Sequence, residues 1–151
     1  MAAVSEQSPI VIREARVGDV AALTRLAGEL GYPAEESQIH RRFEHVLADK
    51  DQQIFVAEES GGEVVGWVHV HLGRWLVVDP RGEVMGLIVS PALRGRGVGR
   101  RLMQAAEVWT QQQGGTLLTL RSNIVRKEAH VFYERIGYQV TKTSLNFSKT
   151  L

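Results

Sequence analysis

The sequence predicts an α/β domain, and three observations predict it. Apolar runs rich in Val and Ile alternate with stretches whose apolar residues recur every three or four positions, so strands and helices interleave. A strand at Glu83–Val89 leads through Pro91 and a glycine-rich turn into a helical pattern. The length of 151 residues, with 44% apolar and 23% charged content, suits one globular domain that fills its own core.

The elements follow in order. Residues 1–8 read as a loose polar tail, and 9–151 as a single domain. Ile10–Glu14 is a first strand. Asp19 is placed to cap a helix whose apolar face carries Val20, Leu23, Ala27 and Leu30. Gly31-Tyr32-Pro33 ends it, and a second helix turns Ile39, Phe43, Val46 and Leu47 inward. Gln53–Glu58 is a strand, Gly61-Gly62 a turn, and Val64–Leu72 the next strand. Alternation puts Val64, Val68, Val70 and Leu72 on one of its faces, and Val65, Trp67, His69 and His71 on the other. Asp79-Pro80-Arg81-Gly82 reads as a turn into Glu83–Val89. The following helix buries Val98, Leu102, Ala106 and Trp109 and stops at Gly114-Gly115. Thr116–Arg121 is a strand. A last helix carries Ala129, Phe132 and Ile136 inward up to Gly137, and Val140, Leu145 and Phe147 suggest one or two closing strands.

The bulk numbers narrow the function. A net charge of +1 argues against a phosphate-tracking nucleic-acid surface, so no nucleic-acid partner is expected. With no cysteine, disulfides, cysteine nucleophiles and thiolate metal sites are excluded. No run approaches a membrane span, and the expectation is a soluble, cytoplasmic protein without a membrane partner. The basic charge is instead local: four arginines (94, 96, 100, 101) fall within eight residues, interleaved with Gly95, Gly97 and Gly99. A strand, a glycine-rich bend and a helix start together make an anion site, because free amides and the helix dipole both favour negative charge there. Spacing excludes the two commonest phosphate loops. Gly-x-Gly-x-Gly is not the dinucleotide Gly-x-Gly-x-x-Gly, and no Gly-Lys-Ser/Thr follows.

What fits is Arg94-x-x-Gly97-x-Gly99 after a strand ending at Val89, which resembles the pyrophosphate loop of the GNAT (GCN5-related) N-acetyltransferases. A second stretch, Asn123 followed by Ala129-His130-Val131-Phe132-Tyr133-Glu134-Arg135-Ile136-Gly137-Tyr138, is similar to that family's later signature. The order of elements agrees over nearly the whole chain. The resemblance implies a mostly antiparallel central sheet flanked by helices, with the fourth and fifth strands splayed apart. It implies acetyl-coenzyme A as co-substrate, its pyrophosphate on the amides of Arg94, Gly95, Arg96, Gly97, Val98, Gly99 and Arg100. The pantetheine arm would pair with the edge offered by Leu87, Ile88 and Val89. Gly86, inside that strand, suits either a bulge or close packing.

Acyl transfer to an amine needs a base for the ammonium proton and an acid for the leaving thiolate. By resemblance Tyr133 is the acid; the residue pattern alone leaves a structural tyrosine open. Glu83, at the strand start, is the candidate base, with His69 and His71 as rivals and a water chain as a further route. No third ligand accompanies the two histidines, and no metal is expected. Asn123 and Phe132 would line the cofactor, although Asn123 also suits plain turn chemistry. His130 either orients the phenol or sits in solvent. Tyr32, Glu35, Glu36, Arg74 and Trp75 would border the acceptor site, the glutamates serving equally as a solvated helix start. No accessory docking segment is legible beyond the tail, which favours a small-molecule amine; with no cysteine and no serine flanked by a base motif, direct attack in a ternary complex is expected. A non-catalytic acyl-coenzyme A sensor and a protein amino-group acetyltransferase stay open. The family's closing strands imply a homodimer.

Overall fold

The computed structural model describes residues 9–151, so the expected tail over 1–8 lies outside the described residues. The chain divides into two compact units, one ending at Leu120 and the other spanning Arg121–Leu151. In the first unit the order is β1 (Ile10–Glu14), α1 (Val20–Glu29), α2 (Glu36–Ala48), β2 (Gln52–Glu59), β3 (Val64–Gly73), β4 (Arg81–Val89), α3 (Val98–Gln112) and β5 (Leu118–Leu120). The five strands form one sheet in chain order. β1 to β4 are antiparallel, and β5 alone runs parallel to β4.

α3 packs on β3 and β4. Its Leu102, Met103 and Ala106 are fully buried, as are Val68 and Val70 of β3. Each large side chain so removed from water contributes about 1.5–3 kcal/mol. A second cluster gathers Val20, Leu23 and Leu26 of α1 and Phe43 of α2 with Val56 and Ile88, and Ile54 and Trp67 pack against it. Leu26, three positions after Leu23 and four before Leu30, is wholly buried as well. Leu47 was expected inward but stays 51% exposed, because α2 covers the sheet through Phe43.

Two further expectations fail for reasons of pairing. Val64 belongs to the Trp67 side of the sheet, where it joins the α1 cluster. The register slips between Ala57 and Glu58, leaving Val65 as an extra residue, and one added residue reverses the face. Asp19 makes no side-chain cap on α1. Its carboxylate instead takes two bonds from the Arg13 guanidinium, at 2.8 and 2.9 Å, and the Arg16 amide at 2.7 Å. Arg13 also pairs with Glu58, so one guanidinium ties β1 to β2 and to the turn before α1. That pairing holds the Asp19 carboxyl below the usual carboxylate range.

The expected turn at 79–82 is shorter than predicted, since β4 already begins at Arg81. A side chain at Gly82 would run into Thr110 of α3, so this glycine permits close helix–sheet packing. The second unit contains α4 (Lys127–Arg135). The expected closing strands are absent among the described residues: nothing after Arg135 joins a ladder. Val140, Leu145 and Phe147 are 76%, 81% and 91% exposed and belong to no strand among the described residues. No helix of the described residues is long and apolar enough to cross a membrane.

Candidate active site

The glycine-rich bend is built by backbone geometry. Pro91–Leu93 forms a short 3-10 turn anchored by buried Leu93. Gly95 and Gly97 then take φ of 80° and 77°, a region that L side chains rarely enter. Gly97 is the N-cap of α3, and the first helical bond runs from the Arg101 amide to the Gly97 carbonyl at 3.1 Å. The amides of Val98, Gly99 and Arg100 therefore have no hydrogen-bond acceptor among the described residues. The Val98 side chain is buried and pins the helix start, while Arg94, Arg96 and Arg100 are exposed. Arg101 is not available to a ligand in the same way: its guanidinium donates to the Ile10 carbonyl at 2.6 Å.

The strand ahead of this bend is half paired. β5 opposes only Gly82, Glu83 and Val84 of β4. From Met85 to Val89 that edge has no ladder partner among the described residues, while β3 holds the other edge as far as Gly66↔Val89. This is the splay expected between the fourth and fifth strands. It leaves Leu87, Ile88 and Val89 with an open main-chain edge leading into the amides of α3. The bulge falls at Met85, because Val70 pairs with Val84 and His69 with Gly86. Gly86 is also a packing glycine. A Cβ there would come within 2.8 Å of the Trp67 ring. The Trp67 Nε1 is itself buried, with no acceptor among the described residues.

On the sheet face shared with Trp67, polar residues form a row. His71 lies directly opposite Glu83, and Glu83 opposite Thr119, whose hydroxyl donates to the Gly82 carbonyl at 3.2 Å. Opposed side chains of such a ladder stand about 5 Å apart at Cβ. Glu83 is half-buried, as are His69 and His71. His69 meets Gln52 at 2.8 Å, a partner that no spacing in the sequence announces. Burial, with the neighbouring His71 adding to it, lowers the His69 imidazole to about 4, so it is neutral at physiological pH. Among the described residues no three His, Asp or Glu groups converge as metal ligands.

In the second unit Asn123 is used locally. Its Oδ1 accepts the Val125 amide at 3.1 Å, and its carbonyl meets His130 Nε2 at 2.9 Å. His130 is thus turned to Asn123 through Nε2. Tyr133 is half-buried, edge-on to Phe132 at 5.1 Å and to Tyr138 at 6.1 Å. Burial pushes its phenol pKa above 10, with Arg126 opposing slightly, so Tyr133 carries its proton throughout the neutral range.

The loop residues divide. Trp75 is stacked under Arg81 at 4.8 Å, and Arg74 pairs with Asp51 at 3.3 Å. Tyr32 is 71% exposed, and the Glu35 amide is held by the Gln38 side chain at 3.0 Å as α2 begins. The helix-start reading of Glu35 and Glu36 is the one this bond supports.

Comparison with known proteins agrees with this architecture. The acetyltransferase (GNAT) family model matches residues 20–138. An aminoglycoside N(6')-acetyltransferase type 1 of Stenotrophomonas maltophilia is 31% identical over 144 residues, 93% of each chain. An aminoalkylphosphonate N-acetyltransferase of Salmonella typhimurium is 38% identical over 96 residues, 60% of this chain and only 58% of that protein's length. A solved aminoglycoside N-acetyltransferase in complex with CoA superposes with a TM-score of 0.87 over 98% of this chain and 99% of its own, at 18% identity, a likeness of fold. The chain belongs to the GNAT acetyltransferase family and is an acetyl-coenzyme A-dependent acyltransferase.

Proposed function

We propose that the protein acetylates a primary amine of a small molecule by direct attack within a ternary complex. The observation that carries this reading is the run of unfilled amides at Val98, Gly99 and Arg100, opened by left-handed Gly97 and continuous with the unpaired edge of Leu87–Val89. Acetyl-coenzyme A supplies a diphosphate for the first feature, a peptide-like arm for the second and an activated thioester. Arg94, Arg96 and Arg100 add charge-assisted donors, and Gly95 and Gly97 keep the bend free of side chains. Asn123 and Phe132 we assign to the cofactor side.

Glu83 takes the ammonium proton, with His71 opposite it to pass the proton on. Tyr133 returns a proton to the departing thiolate. Its phenol is the right species for that, since burial keeps it protonated. No covalent acyl intermediate is expected, since the sequence has no cysteine and no serine flanked by a base motif. The small-molecule acceptor is favoured by the relatives, whose names specify aminoglycoside and aminoalkylphosphonate amines. We further propose a homodimer in the cytoplasm. Exposed Val140, Leu145 and Phe147 support the dimer, because they leave apolar surface that a second copy would cover.

The test is thiol release from acetyl-coenzyme A with a panel of polyamines, aminoglycosides, aminophosphonates and peptides, alongside calorimetric titration of the cofactor. Turnover with a small amine is expected. Tight binding with no thiol release from any amine would instead support a sensor, and turnover of peptides alone a protein acetyltransferase.

A further inference from the structure

Gln52 sits between two polar partners, and their chemistry fixes its direction. Its side-chain nitrogen donates to Asp49 Oδ2 at 2.8 Å. A carboxylate only accepts, so the amide cannot turn over without losing that bond. Its Oε1 therefore faces His69 Nε2, at 2.8 Å, and that nitrogen must carry the hydrogen. Asp49 is in turn held in place by the Asp51 amide at 2.9 Å. The result is a one-way relay, carboxylate to amide to imidazole, running from the turn before β2 onto β3.

The relay ends on the face that bears Glu83. His69 is opposite Gly86 at the bulge of β4, and His71, two residues on, is opposite Glu83. A merely structural histidine could be replaced here by any residue filling its space. The relay does something more specific, because it selects which ring nitrogen is left as an acceptor. We propose that Asp49 and Gln52 hold His69 as its Nε2–H tautomer so that Nδ1 accepts an N–H of the incoming primary amine, orienting it towards Glu83. The proposal rests on the acetyl-transfer reading above. Gln52 is then a positioning residue, and His69 a substrate-binding one. The ligand class is an aliphatic primary amine, which brings three N–H donors as its ammonium and two once neutral.

The tautomer can be read without turnover. Nitrogen NMR of imidazole-labelled protein should show His69 neutral and protonated at Nε2 from about pH 5 to 8. A Nδ1–H tautomer overturns the proposal. Steady-state kinetics give the second reading. Gln52→Leu and His69→Phe should raise the acceptor KM about tenfold while leaving the KM for acetyl-coenzyme A unchanged. His69→Asn, which keeps an oxygen near the Nδ1 position, should recover most of that loss. Unchanged acceptor KM in Gln52→Leu and His69→Phe, in the presence of wild-type turnover, overturns the pair alone. Absence of wild-type thiol release with every amine overturns the transfer reading, and the pair with it.

Discussion

Gly86 lies against the ring of Trp67, so close that a methyl group at residue 86 would stand 2.8 Å from the indole. The glycine is paired with His69 next to the Met85 bulge, at the point where β4 loses β5 as a partner. One missing side chain therefore leaves room for the Trp67 indole across from the bulge. Gly86→Ala should displace that ring, costing about 1–3 kcal/mol of stability. Thermal melts should show the loss, and the KM for acetyl-coenzyme A should rise with it. A melt and KM equal to wild type would show that the indole yields freely.

Gly97 caps α3 at φ 77°, where a β-branched residue is strained. Gly97→Val should cost about 1–2 kcal/mol and turn the following amides away from a bound diphosphate. Calorimetry should then find acetyl-coenzyme A affinity reduced at least tenfold. Binding that survives this substitution would place the diphosphate elsewhere.

Tyr133→Phe preserves the edge-on ring contacts with Phe132 and Tyr138 and removes only the hydroxyl. It should lower kcat by about 10²–10⁴ with little change in either KM. Because burial raises the phenol pKa, the wild-type rate should show no loss from tyrosine ionisation below about pH 10. A full kcat in the phenylalanine variant would remove Tyr133 from the proton path.

Glu83→Gln keeps the size of the side chain opposite His71 and Thr119 but cannot take a proton. kcat/KM should fall by about 10²-fold or more at neutral pH and recover as pH approaches the pKa of the amine. An equal loss at every pH would assign Glu83 to structure.

Asp19 is held by Arg13 in a pair that is nearly closed to solvent, the side chains 9% and 17% exposed. Arg13→Ala removes the guanidinium and leaves that carboxylate the Arg16 amide, and should cost about 3 kcal/mol. The pH dependence has a definite sign. The folded pKa of Asp19 is depressed, so its contribution is complete above the unfolded value of about 3.9 and fades as pH falls through the folded one. Urea melts of wild type and Asp19→Asn should differ most at neutral pH and converge in acid.

Much of this protein was legible in its sequence because the relevant forces act over a few residues. The left-handed glycines at 95 and 97, the helix from Val98 with Leu102, Ala106 and Trp109 inward, and the fifteen-residue length of α3 follow from local periodicity and backbone sterics. The glycine-rich bend belongs to that class, since turn and helix start are neighbours in the chain. Tertiary structure alone decided what depends on strand pairing. A bulge at Val65 moved Val64 to the other face, and a second at Met85 set His69 against Gly86. It took Asp19 from its helix cap to Arg13, took Arg101 to Ile10, and joined Gln52 to His69 across seventeen positions. It also left Leu145 and Phe147 exposed. The physical reason is that pairing register is set by summed contacts between distant segments, and one inserted residue reverses every side chain beyond it.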